Sequence, residues 1–497
     1  MERKKSQLFL SLVMLMMLIV SCRDTLKVNP ARVVAELDVG EAKEIELSNG
    51  ERVKLKLLEL NIKRDHVRQA IRGYDVTIAL DGKQVTLSSG PYNLPVQVGK
   101  VQIDCPSIKA YHDKSTKDFW KLSKDVYFRL WPKDISYTSP GTFVYPLKQK
   151  WFANMTQSGN EPVYVNGGER IGSDKVYYHA GHDMGGAEGM DEVVAATDGL
   201  VISSKKDTLN GYVDFPSSVR PDVVYIVDQR DWYYRYSHLD SILPSIKPGT
   251  NVKQGQRIGF IGKQGASGGW VHLHFDIHYK DPVTGDFKIE DAYAYCWESY
   301  VEQYEPDIIA VARPHKILYT GEETTLDGRK SKSFAGEIVN YEWTFCDGTT
   351  ANGPVQKKTY EKPGEYSEIL KVTDSKGNVD YDFQVVLVYD KDQPKKAIPG
   401  IQPAYHPTLN IQPGEPVTFL VRTFNTDFGK ETWDFGDSSP QVTTRSEIIP
   451  GEHLSKGKFA ATVHTYSKPG HYIVSVERSN ESGIKAIAHL QVVVRVQ

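Results

Sequence analysis

The sequence predicts a mainly β protein of several domains, and three observations carry that reading. At 497 residues the chain is too long for one ordinary hydrophobic core. Short runs of alternating apolar and polar residues, separated by turn dipeptides, recur along it. The last two hundred or so residues contain a unit of roughly ninety residues that occurs twice. Composition agrees: 28 tyrosines and 40 glycines favour strands and tight turns over long helices. A formal net charge of −3, with 25% charged residues, gives no phosphate-binding surplus, so a nucleic-acid partner is excluded.

Residues 1–21 read as a signal peptide. Arg3, Lys4 and Lys5 form a basic start, and Leu8 to Val20 form an apolar run too short for a comfortable membrane span. The segment ends Ile19-Val20-Ser21-Cys22, which resembles a bacterial lipobox. That resemblance implies cleavage before Cys22, acylation of Cys22, and a membrane anchor in the bacterial cell envelope, periplasmic or surface-facing. No later stretch is apolar enough to span a bilayer, so the remainder is expected to be soluble and tethered. Cys105, Cys296 and Cys346 form no CxxC pair; a thiolate zinc site is disfavoured, and free thiols are expected in preference to an unassignable disulfide.

Residues 22–140 alternate as strands do: Val53-Lys54-Leu55-Lys56-Leu57-Leu58, then Val76-Thr77-Ile78-Ala79-Leu80, with turns at Ser48-Asn49-Gly50 and Asp81-Gly82. An N-terminal β-rich domain is expected there, without chemistry of its own. Only its position before the histidine-rich region suggests a plug over the site. Residues 141–303 hold most of the histidine and glycine signals, with strands expected at Val223–Val227 and Arg257–Ile261. Residues 304–392 and 393–497 hold the repeat. Tyr341-Glu342-Trp343-Thr344-Phe345-Cys346-Asp347 parallels Thr432-Trp433-Asp434-Phe435-Gly436-Asp437, and Thr359 to Tyr366 parallels Thr465 to Tyr472 through a shared Lys-Pro-Gly turn. Both copies resemble PKD-type domains, which implies two immunoglobulin-like β-sandwiches with each Trp and Phe in the core. Cys346 stands where the second copy has Gly436. The proline-rich stretch Asp390 to Pro407 reads as a linker. The repeats read as spacers, with a glycan or protein ligand as the other option.

Four pieces of the middle region carry chemistry: Tyr178 to Gly185, Tyr236 to Asp240, Val252 to Gly265, and Val271-His272-Leu273-His274-Phe275-Asp276. On a strand, His272 and His274 share one face. Two imidazoles side by side are costly to bury without a shared purpose, and a metal ion is one. His179 and Asp183 supply an imidazole and a carboxylate four residues apart. With one of the two later histidines they complete a three-ligand site with a fourth position left for water.

Together these pieces resemble the LytM/lysostaphin-type zinc metallopeptidase family: His-x-x-x-Asp, then Tyr-x-His-Leu, a glycine-spaced hairpin, and His-Leu-His-Phe. The resemblance covers residues 141–303. It implies a small antiparallel β-sheet with one Zn2+ at its floor, held by His179, Asp183 and His274. It also implies active-site roles for His238 and His272, one activating water and the other stabilising the oxyanion. Peptidoglycan peptides are the implied substrate. An extracellular glycine-rich protein, or wall binding without turnover, are the alternatives. Trp270 and the Ser203–Val223 stretch depart from the family pattern and bear on substrate choice. His182, His278 and Asp240 are read as non-ligands, and the tyrosines Tyr177, Tyr178, Tyr233, Tyr234 and Tyr236 as packing before groove lining.

Overall fold

The computed structural model describes residues 31–496, apart from 90–91, 112, 114, 116, 157–161, 165–175, 213–218, 282–283 and 448–456. The signal-peptide and lipobox readings at residues 1–22 lie outside the described residues, as does part of the Ser203–Val223 stretch. Among the described residues no helix is long and apolar enough to cross a membrane.

The architecture is mainly β. In the N-terminal region Ala42–Glu46, Arg52–Arg64, Ile71–Leu80 and Lys83–Ser89 form an antiparallel meander. Alternation sets its inner face: Val53, Leu55, Leu57, Val76, Ile78 and Leu80 are all buried. Asp81 and Gly82 both have positive φ, 49° and 82°, which is what a two-residue hairpin between right-twisted strands needs. A second sheet, in the order Val33–Leu37, Val126–Pro132, Val101–Ile108, Val96–Val98, closes over the same core.

This region is bolted to the next by buried charge. Arg129 donates to Asp104 (3.0 and 2.5 Å), to Glu290 (2.5 Å) and to the Asp291 carbonyl (2.7 Å), while Arg32 pairs with the other Glu290 oxygen at 2.7 Å. Breaking such a network strands a charge away from water, so the two regions are energetically one body.

The middle region is an eight-stranded sheet. Its central strand, His272–Lys280, runs antiparallel between His182–Gly185 and Trp232–Ser237. Leu273, Phe275 and Ile277 point to the inner face and are fully buried. There they pack in one core with Phe143, Tyr234, Tyr236 and residues of the helix Tyr293–Tyr304. A small sheet of Glu192–Val194, Arg257–Phe260 and Ser241–Ile242 flanks it. The glycine spacing serves close approach here: a Cβ on Gly259 would lie 2.3 Å from the Ser241 carbonyl oxygen.

The two repeats are β-sandwiches with Trp343 and Trp433 at their centres, both fully buried. In each, the tyrosine after the Pro-Gly turn closes it identically: Tyr366 and Tyr472 donate to the carbonyls of Lys362 and Lys468, both at 2.8 Å. The linker reading of Asp390 to Pro407 is corrected in part. Gly400–His406 is a strand of the second sandwich, paired with Pro416–Phe424. It lies at the edge of a three-stranded sheet, where Pro403 costs no ladder bond. The two sandwiches also share a nine-stranded sheet through the pair Glu365↔Ala486. Among the described residues, Cys105, Cys296 and Cys346 form no disulfide.

Burial at the charged cluster raises the pKa of Asp291 to about 6. Its folded value therefore lies above its unfolded one, so stability falls as pH rises from about 4 to about 6. Asp291→Asn is expected to be the more stable protein above pH 6, by on the order of 2 kcal/mol. It should converge with wild type near pH 4, as read from urea unfolding at both pH values.

Candidate metal centre

The site begins with a register. Asp183 lies directly opposite His274 across the antiparallel pair, and Gly185 opposite His272. The pleat then places Asp183, His272 and His274 on one face, while the residues between them go into the core. His179 arrives from the other side of a sharp bend at Gly181, whose φ is +133°. A Cβ there would lie 3.0 Å from His274 Cε1 and 3.1 Å from the Phe275 carbonyl oxygen, so only glycine lets the chain cross the strand this closely. The N-terminal region steadies the approach: Tyr178 accepts the Ile71 amide at 2.8 Å and stacks on Tyr111, and Ala180 packs with Trp120 and Tyr127.

Three atoms converge. His179 Nε2 lies 2.7 Å from His274 Nδ1 and 3.2 Å from Asp183 Oδ1, and His274 Nδ1 lies 2.9 Å from that same oxygen. All three lie within 4.8 Å of one another. His274 Nε2 faces Asp276 Oδ2 at 2.9 Å. With a cation in the cluster, Asp276 would keep the proton on Nε2 and leave the Nδ1 lone pair to the metal. Two imidazole nitrogens and a carboxylate oxygen aimed at one point fit a single divalent cation, with zinc among those such donors suit. Burial opposes charge on Asp183, yet His179 and His272 hold its pKa well below the usual carboxylate range.

Two further imidazoles border the cluster. His238 and His272 have ring centroids 4.7 Å apart, and His238 lies 6.0 Å from His274. His272 donates through Nδ1 to the Trp270 carbonyl (3.1 Å), and His238 through Nδ1 to the Gln264 carbonyl (2.7 Å). A carbonyl only accepts, so both rings carry hydrogen on Nδ1 and a lone pair on Nε2. Burial pushes the His238 pKa down to about 3 and lowers that of His272 as well, so both are neutral at neutral pH. His238 sits at φ +67°, a strained conformation for a residue with a side chain. All five side chains are largely buried, from 8% exposed at His179 to 19% at Asp183.

Three residues here carry roles the sequence reading did not give them. Asp276 bridges His274, His278 (2.8 Å) and Arg235 (3.2 Å). Its signal was parity: it lies two residues past His274 and so on the same face. Asp222 accepts the His238 amide at 3.1 Å and is forked by Arg220 at 3.1 and 2.5 Å. No local pattern marks that pair. His182 points to the opposite face and packs on Trp151 and Tyr293, away from the cluster. Asp240 is exposed, and Tyr234 and Tyr236 are core residues.

Residues 177–284 match Peptidase family M23, and residues 305–388 and 404–494 match PKD domain models. The chain thus carries an M23 peptidase domain followed by two PKD domains. It is 35% identical over 94 residues to Collagenase ColA of Clostridium perfringens, covering 19% of this chain and 8% of that protein. It is 30% identical over 107 residues to Microbial collagenase of Vibrio alginolyticus, covering 20% and 12%. It thus spans only a small part of the length of these relatives. Among solved structures it is similar to the catalytic domain of the prophage-encoded M23 protein EnpA from Enterococcus faecalis, at 24% identity and a TM-score of 0.18, over 27% of this chain and 92% of that one.

Asp276→Asn keeps the shape but weakens the acceptor that orients His274. Zinc affinity, measured by competition with a chromogenic chelator, is expected to fall roughly ten- to a hundredfold with the fold intact.

Proposed function

We propose that this chain is a zinc metallopeptidase of the bacterial cell envelope that hydrolyses peptide bonds in peptidoglycan, anchored by lipid at Cys22. The observation that carries the reading is the convergence of His179 Nε2, Asp183 Oδ1 and His274 Nδ1 beside two neutral histidines whose lone pairs are unspent. Those three atoms would hold the metal. A zinc ion there supplies Lewis acidity, which acidifies water and polarises the scissile carbonyl.

The protein's own groups handle the protons. One of the Nε2 atoms of His238 and His272 accepts the proton of the attacking water. That proton is then available at the same Nε2 for the departing amine nitrogen, so one proton serves both steps. The expected oxyanion-donor role would need hydrogen on the other Nε2, which its bond to a carbonyl through Nδ1 does not provide. The hydrogen bonds to Trp270 and Gln264 fix both rings in the tautomer that a proton acceptor requires. Burial of the five side chains limits the competition of bulk water for these contacts. A second reading, cleavage of an extracellular protein, draws on the likeness to two proteins named collagenases.

The test is digestion of purified wall sacculi by residues 23–497, with metal content measured on the same sample and His274→Ala alongside. New muropeptides from the wild type alone, with about one zinc per chain, are expected. Chelation should abolish the products and added zinc restore them. Cleavage of gelatin but not sacculi would move the assignment to the second reading. A protein that binds no zinc would sink both.

A further inference from the structure

The second sandwich packs against the loops around the metal centre. Its three-stranded sheet lies on the loops that flank the metal centre, and an apolar cluster of Ala187, Ala404 and Leu420 joins the two. His406 pairs with the fully buried Asp191 at 2.7 Å across the same junction. Lys263 lies over the Phe459 ring and pairs with Glu188.

The closest grip falls on Gly269, Trp270 and Val271, the three residues that lead into His272. Val271 precedes the strand and has no ladder partner, yet it is wholly buried. Gln402 supplies the missing partner: Val271 donates its amide to Gln402 Oε1 (3.0 Å), and Gln402 Nε2 donates to the Val271 carbonyl (3.0 Å). One side-chain amide thus does what a neighbouring strand would do. Gln402 is itself fully buried, and its second hydrogen goes to Thr156 Oγ1 at 2.8 Å, which fixes its orientation. One residue earlier, the Trp270 ring stacks on Phe424, with centroids 4.6 Å apart at 20°. One earlier again, Arg422 Nη1 donates to the Gly269 carbonyl at 3.0 Å. Three consecutive residues are held by three side chains of one module.

The middle residue of the three is the one whose carbonyl accepts His272 Nδ1–H. A carbonyl that turned by a fraction of an ångström would release that ring and its tautomer. We propose that the C-terminal sandwich is a built-in part of the M23 site, with Gln402, Arg422 and Phe424 as positioning residues. They hold the Gly269–Val271 backbone so that Trp270 fixes His272 with Nε2 toward the metal ligands. This rests on the hydrolase reading for its catalytic consequence, but not for its structural one.

The experiment uses residues 23–497 carrying Gln402→Met, which keeps length and burial and removes every hydrogen bond. Val442→Ala, in the other sheet of the same sandwich, is the control for general loosening of that module. Hydrogen exchange and kinetics are read at equal zinc content. In Gln402→Met the amides of the segment containing Val271 and His272 should lose protection. Its kcat should fall roughly ten- to a hundredfold with KM within about twofold, as expected for a misplaced catalytic group. Val442→Ala should keep both protection and kcat. Wild-type kcat in Gln402→Met, or equal loss in the control, would overturn the proposal. Should the wild type cut neither sacculi nor protein, the hydrolase reading fails separately. Exchange alone then decides: local loss of protection in Gln402→Met upholds the grip on the segment, and unchanged protection refutes it.

Discussion

The antiparallel register between His182–Gly185 and His272–Lys280 is the constraint on which the remaining geometry depends. It sets Asp183 across from His274. A slip of one residue would turn His272, His274 and Asp276 into the core and bring Leu273 and Phe275 to the site. The register is held from both sides. Leu273, Phe275 and Ile277 are too apolar to leave the core, and Trp232–Ser237 pairs with the far edge over six consecutive positions. The metal centre thus inherits its precision from ordinary hydrophobic packing and backbone pairing, not from the polar residues themselves.

Around that sheet the other modules act as fixtures. Glu290 lies just past the M23-matched residues, in a strand paired with His272–Lys280, yet both of its oxygens are taken by guanidiniums from the N-terminal region, Arg32 and Arg129. The N-terminal region therefore does not behave as a detachable plug. Replacing Arg129 alone would leave the buried Glu290 carboxylate short of a partner, a cost of about 3–5 kcal/mol. The contacts of the N-terminal region flank His179 through Tyr178 and Ala180, and so it steadies one ligand from behind. On the other side Arg313, just past the helix, donates to the carbonyls of Asn154 and Thr156 at 2.6 and 2.8 Å, and Gln402 continues that line to Val271.

What the sequence could disclose follows the range of the interactions involved. Alternation at Val53–Leu57 and Val76–Leu80 is a local property, and it foretold the buried faces. His272 and His274 were readable as neighbours because two residues on one strand need nothing else to bring them together. The repeated Trp and Pro-Gly signals gave the sandwiches for the same reason. Asp276 was within reach by the same parity, but a lone Asp on a strand has no signature until its partners are known. Asp222 meets His238 across a long connection. Gln402 meets Val271 from 131 residues away, inside a strand that four prolines made look like a linker. Side-chain to backbone contacts at that separation leave no periodicity behind. The spacer reading of the repeats left these contacts out, because nothing local in the second copy marks the Gly269–Val271 segment as its neighbour.

That separation also orders events in time. A polypeptide grows from its N-terminus, and its domains fold as units in roughly that order. When residue 280 has emerged, His179, Asp183, His238, His272 and His274 are all present, but Gln402, Arg422 and Phe424 are not. Until the last sandwich docks, the Val271 amide and carbonyl lack the Gln402 partner, and the turn before His272 is held by local bonds, among them the Trp270 amide to the Ser267 carbonyl and the His272 amide to the Gly262 carbonyl. The reactive constellation is assembled before it is aligned. On the proposed role of Gln402, a peptidase domain made this way would align His272 only once the distal module has folded, so that the chain's own growth would act as a delay on the chemistry.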